Sequence, residues 1–285
     1  MNKTTRPTTN TQADLPEQRK ETTMSPKTNV NRILSAHALK PALAAATLAL
    51  LISAWSGQAA QPNPNPGVIP VNASPYGKTY GEWSAAWWQW AFSLPATAHP
   101  ILDTADCSAG QSGPVWFLAG KACPTPAPPE GCNANVAERT CTVPHGKALF
   151  FPIVNSEDSV IEESSGYGCL QGTTEAALRN CARLVVDGLA DLACEIDGHS
   201  VQNLDSFRVQ SPLFEFTLAA HDNLAAAVGE TAVPDGATSL GVGDGIYVML
   251  APLSAGRHTL HFHARQTCSF CGNFTMDITY HLSVE

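Results

Sequence analysis

The residues whose types and spacing could do chemistry gather at the C-terminal end of the chain. In His258-Thr259-Leu260-His261-Phe262-His263-Ala264, strand alternation puts Leu260, Phe262 and Ala264 on one face and His261 and His263 on the other. In Met276–Val284, the apolar set Met276, Ile278, Tyr280, Leu282 and Val284 takes one face, while Asp277, Thr279, His281 and Ser283 take the other. Burying both apolar sets on one core forces His261, His263, Asp277 and His281 onto the same opposite face. If the strands pair about the Cys268–Cys271 turn, His263 comes opposite Asp277. Imidazole nitrogens with a carboxylate across from them suit zinc, and zinc with an open coordination position activates water for hydrolysis. The competing reading is a solvated sheet face that carries His and Thr simply as polar residues.

Three other groups invite chemistry less strongly. Cys268-Ser269-Phe270-Cys271 has redox spacing, but a hairpin turn lacks the helix N-terminus that lowers a thiolate pKa, so a structural disulfide is the better reading. The stretch Asn155–Glu163 holds four carboxylates, an oxygen-rich composition suited to calcium. It lacks the alternating ligands and central Gly of an EF-hand, which favours a solvated acidic loop. Gly110-Gln111-Ser112-Gly113 lacks the spacing of a hydrolase elbow, Glu82 reads as a helix-surface residue, and no phosphate-binding Gly loop is present.

The elements that must position these residues are mostly short strands. From Thr79 to Leu94, Tyr80, Trp83, Trp87, Trp90 or Ala91, and Leu94 recur at steps of three and four, which predicts a helix ended by Pro95. Most of its tryptophans share one face and read as core, with Trp88 off that face as the exposed, ligand-facing aromatic. A second helix starts at Thr173 or Thr174, with Leu178, Cys181, Val185 and Leu189 on its apolar face. Strands are expected over 115–118, 147–154 (with Pro152 marking an edge or bulge), 192–196, 199–204, 207–218, 245–250, 259–264 and 274–284. Asp197-Gly198 is a strong hairpin turn. The resulting fold class is mainly β: an antiparallel, jelly-roll-like β-sandwich with one Trp-rich N-terminal helix and one further helix packed on it.

Several strings resemble a group of secreted bacterial proteins that share a domain of unknown function. They are Tyr80–Trp90 (YGEWSAAWWQW), Gly110–Gly120 (GQSGPVWFLAG), Thr142–Ile153 (TVPHGKALFFPI) and Gly256–Phe262 (GRHTLHF). The resemblance spans Tyr76 to Val284. It implies export but carries no activity or site residues, and the Cys123–Cys132 loop is an addition to the shared pattern.

Position and charge bound the rest. The apolar run Ala42–Ala54, preceded by Arg32 and Lys40 and followed by small residues to Ala60, reads as a secretory signal, with Met24 as an alternative start. Residues 1–60 are thus expected to be a disordered n-region and signal peptide, 61–75 a Pro-rich linker, and 76–285 one disulfide-containing domain. Residues 1–60 hold seven of the 16 Lys/Arg and three of the 25 Asp/Glu, so the remainder carries nine against twenty-two, a net charge of −13. Such acidity disfavours nucleic acid and anionic lipid as partners. All nine cysteines follow the signal, in keeping with folding in an oxidising compartment. Candidate pairs are Cys107–Cys141, Cys123–Cys132, Cys169–Cys181 and Cys268–Cys271, with Cys194 left over. No cysteine at the cleavage site supports a lipid anchor. The function these features favour is a non-catalytic secreted or periplasmic module binding a glycan or surface protein. The alternatives are a metal-assisted hydrolase on the C-terminal hairpin and an envelope component bridged through its odd cysteine.

Overall fold

Alternation of apolar and polar residues builds two five-stranded sheets. A computed structural model describes residues 65, 67–127, 133–134, 136–268 and 272–285. One sheet orders β1 (Val115–Phe117), β3 (Ala148–Ser159), β8 (Thr238–Leu250) and β6 (Arg208–Gln210), with β7 (Phe214–Thr217) also paired to β8. The other orders β2 (Val136–Val143), β10 (Gly272–Val284), β9 (Gly256–Cys268), β4 (Leu189–Ile196) and β5 (His199–Ser200). Most ladders are antiparallel, but β1–β3 and β2–β10 run parallel, so both sheets are mixed.

The sheets face each other across one core. Phe151 of β3 stacks on Phe262 of β9 at 5.4 Å between ring centroids, and Phe262 leans on Tyr280 of β10. All three side chains are fully buried, and enclosing each phenylalanine contributes about 2–3 kcal/mol. The Tyr280 hydroxyl is not left unpaired: it donates to the Ala119 carbonyl at 2.7 Å and accepts from Arg139 Nη1 at 2.8 Å.

Helix α1 (Tyr80–Ser93) closes one side of this core. Thr79 caps it: its hydroxyl accepts from the Glu82 amide, and the Glu82 carboxylate accepts from the Thr79 amide at 2.7 Å. Glu82 is therefore a capping residue. Tyr80, Trp83, Trp87, Trp90, Ala91 and Phe92 are all buried, so the helix is wrapped on more than the one face its sequence period marks. Three indole N–H groups find backbone carbonyls at Pro75, Leu118 and Ala109, which lets large side chains with polar handles sit inside. Helix α3 (Glu175–Val186) starts at Thr174, whose hydroxyl accepts from the Ala177 amide. Two short helices, α2 (Val160–Ser165) and α4 (Leu224–Ala227), complete the set.

Several expectations change. Asn155–Glu163 is no loop: Asn155–Ser159 is the end of β3 and Glu162 and Glu163 lie in α2. Of the two readings of Pro152, the edge is excluded because β3 is central, between β1 and β8, and the bulge agrees with the register shift between Pro152 and Val154. Leu189 opens β4 rather than ending α3, and strand β2 has no counterpart among the expected strands. Part of the expected linker is packed: Val68 is buried and bridges Leu250, and the Ile69 amide donates to the Met249 carbonyl at 2.8 Å. The signal segment lies outside the described residues.

Disulfides Cys107–Cys141 and Cys169–Cys181 are formed, and Cys194 is a free, buried thiol pushed up to about 12 by desolvation and then by Glu195. Cys123 is disulfide-bonded. Its expected partner Cys132 lies outside the described residues, as do Cys271 and the side chain of Cys268. These bridges are consistent with folding under oxidising conditions. Among the described residues no helix is long and apolar enough to cross a membrane.

Candidate functional site

The C-terminal hairpin places its polar residues as alternation requires. His263 pairs with Asp277 and His261 with Thr279 in the β9–β10 register. His261 Nε2 lies 2.9 Å from Asp277 Oδ1, and His263 Nδ1 lies 3.5 Å from Asp277 Oδ2. His281 is not part of this group: its Nε2 is 2.9 Å from Glu138 Oε1 on β2, the parallel neighbour on the far side of β10. The hairpin thus brings together His261, His263 and Asp277 and separates His281. The three side chains are a quarter to a half exposed, with His261 hydrogen-bonded to Asp277 and His263 beside the other carboxylate oxygen.

A different arrangement lies against α1. A cavity of about 320 Å³ opens between α1, the end of β3, α2 and α4. Trp87 and Trp88 form part of its wall with rings edge to face at 5.0 Å, and Phe92 stacks on Trp88 at 5.3 Å. Trp88 is half-buried rather than exposed, because Phe92 and Trp87 take up its ring; it is still the least buried aromatic of α1. A flat sugar-stacking face is therefore not on offer. What Trp88 gives the cavity is an aromatic wall.

Strand β8 makes the room. Gly241, Gly243 and Gly245 alternate with Val242, Asp244 and Ile246, so one face of the strand has no side chains over five residues. A Cβ at Gly243 would lie 2.8 Å from Trp88 Nε1, and one at Gly245 would lie 2.7 Å from the Asn155 Cβ. At Gly241 it would collide with the Glu157 carboxyl. Close approach of neighbouring groups is the physical use of glycine in a strand interior.

Three carboxyl groups share this cavity: Glu157 from β3, Glu162 from α2, and Glu230 from the segment after α4. They form a row with Glu162 in the middle, in contact with Glu157 on one side and Glu230 on the other. Ionised carboxylates offer each other no donor, so both Glu157 oxygens and Glu230 Oε2 are buried without a hydrogen-bond partner. Each contact becomes a hydrogen bond only when a proton is shared. Burial raises Glu157 well above the usual carboxylate range, and the Glu162 charge adds to it. Burial raises Glu162 to about 7 against the opposing help of the Ser159 hydroxyl, which donates to it at 2.7 Å. Glu230 rises to about 8 through burial and the Glu162 charge. Lys121 is the cation on the wall, and its Nζ is held 2.8 Å from Asp103, which also binds Arg139.

Asp158 points the other way along β3. Burial and the Glu163 charge raise it to about 7, and its Oδ2 has no partner. Asp158, Glu163 and the Cys181 sulfur lie within 4.8 Å of one another. That sulfur is bonded to Cys169, so it is no thiolate and this trio offers only two metal-binding carboxylates.

The acidic composition of Asn155–Glu163 is visible in the sequence, but its burial is not. Glu230, Lys121 and Trp87 carried no functional signal there. The Gly-x-Gly-x-Gly run at 241–245, which the expected strand over 245–250 leaves largely outside, is the signal that could have pointed there, since period-two glycines inside a strand mark a close approach from one side.

Fold and site together define a disulfide-stapled, two-sheet β protein with an aromatic-walled, acidic cavity. No family model matches the chain, and no curated protein matches it. Among solved structures, a cysteine protease inhibitor from Entamoeba histolytica aligns at 11% identity and a TM-score of 0.19, covering 53% of this chain and 95% of that one. A likeness of that size carries no inference about fold or ligand.

Proposed function

We propose that this chain is a non-catalytic binding module exported from the cytoplasm to the periplasm or beyond, and that its ligand enters the cavity against α1. The observation that carries this reading is the enclosed, unpartnered carboxyl of Glu157 beside an aromatic wall. A buried polar group without a partner costs about 1–3 kcal/mol, more when charged, and a ligand that supplies the partner recovers it. At about 320 Å³ the cavity suits a small molecule or a single side chain or sugar of a larger glycan or surface protein. The test is tryptophan fluorescence and thermal unfolding of the disulfide-bonded protein against panels of sugars, amines and acids. At least one class should shift both signals, and Trp88→Leu should weaken the response. A protein indifferent to every class would overturn the reading.

The alternative is a metal-assisted hydrolase on His261, His263, Asp277 and His281. The favourable feature is the two imidazoles on one carboxylate. It would require His281 to leave Glu138, and zinc measured in the purified protein is its test.

A further inference from the structure

We propose that the cavity binds an organic ammonium group, its charge among Glu157, Glu162 and Glu230 and its hydrocarbon part against Trp88 and Phe92. This rests on the cavity being the binding site. The cavity is mixed in character: its lining holds three carboxyl groups together with the apolar side chains of Trp88, Phe92, Ile101 and Met276. A ligand that satisfies both has a cationic head and an apolar body.

The geometry of the carboxyls separates this from a metal ion. A divalent cation needs its oxygens gathered at one point, within about 2.3–2.6 Å of the ion for calcium. Among the described residues, Glu157, Glu162 and Glu230 do not supply three oxygens within 4.8 Å of one another. They form a row. An ammonium group has three N–H donors pointing in different directions, and it can give separate hydrogen bonds to carboxylates along such a row. The apolar wall takes the hydrocarbon part of such a ligand, for which a hydrated calcium ion has no use. Glu157 has two enclosed oxygens without donors and Glu230 one, and donors are what a cationic ligand brings. Among the described residues the one cationic wall residue, Lys121, is already engaged by Asp103.

Phenethylammonium chloride, with its neutral isostere 2-phenylethanol, is a suitable pair of probes for fluorescence titration of the disulfide-bonded protein. The amine should bind at least about tenfold more tightly than the alcohol, and added salt should weaken it. Glu162→Gln removes the middle carboxylate and keeps its shape; it should weaken amine binding by about tenfold while the free variant unfolds no earlier than wild type. Equal binding of amine and alcohol, or an unchanged affinity in Glu162→Gln, would overturn the proposal. A midpoint raised by calcium chloride but not by the amine would also overturn it, in favour of a metal. If glucose or phenylacetate binds and the amine does not, this proposal falls while the cavity remains a binding site. If nothing binds, both fall. A free amine and the side chain of a peptide lysine present this same chemistry: tighter binding of Nα-acetyl-lysine methyl ester than of phenethylammonium assigns the peptide source, and the reverse order assigns a free amine.

Discussion

Two regions of this molecule collect ionisable residues, and they do so in opposite ways. The β9–β10 hairpin holds His261, His263 and Asp277 on an open sheet face, where each has a partner. The cavity against α1 holds Glu157, Glu162 and Glu230 away from water, where both Glu157 oxygens and one Glu230 oxygen lack a donor. The first looks like a site in the sequence because chemically suggestive residue types recur at strand spacing. The second does not, because its members come from 157, 162 and 230, and two of them sit in what reads as a solvated acidic stretch. Clustered residue types are common on surfaces, whereas buried polar atoms without partners are costly and call for a reason. The comparison favours the cavity as the place where this protein meets its ligand.

The largest effect expected from breaking this contrast is at the glycine stripe. Gly243→Ala puts a Cβ against Trp88 Nε1 and should cost about 1–3 kcal/mol of stability and collapse ligand binding. Chemical denaturation checks the first part and fluorescence titration the second; an unperturbed variant would mean that Trp88 is not held against β8. Replacing both His261 and His263 with Ala should change stability by no more than about 0.5–1 kcal/mol, because exposed ion pairs contribute little. A loss of several kcal/mol, or zinc near one equivalent in wild type that disappears in this variant, would return the hairpin to the centre of the account. Smaller still, His281→Ala should leave the unfolding midpoint almost unmoved, since its contact with Glu138 is half to three-quarters exposed.

The parts legible from sequence are those fixed by local physics. The α1 helix ended before Pro95, the Asp197-Gly198 hairpin, the alternation of β9 and β10, and the bridges Cys107–Cys141 and Cys169–Cys181 all rest on short-range patterns or loop geometry. The parts that were not legible depend on long-range burial. Glu157 and Asp158 have low strand propensity, yet they finish a central strand because β8 pairs with them and α2 covers them. Strand β2 finds its place only by parallel pairing with β10, more than a hundred residues on. The aromatic period of α1 pointed to one buried face, and no local rule showed that Trp88, off that face, would wall a cavity.

The most direct test of the central claim is the pH dependence of the unfolding midpoint in wild type and Glu157→Gln. Folded-state values for Glu157, Glu162 and Glu230 lie above the ordinary 4.5, reaching about 7 for Glu162 and about 8 for Glu230. Folding therefore favours their protonated forms. The stability this contributes is full below the unfolded value and is lost as pH climbs through about 7 to 8. The ligand-free protein should thus weaken from pH 5 to pH 8. Glu157→Gln should match wild type at pH 5 and unfold about 3–6 °C higher at pH 8. A variant that is less stable than wild type at pH 8 would show that Glu157 is already partnered as a charge, and the cavity would lose its claim to an absent ligand.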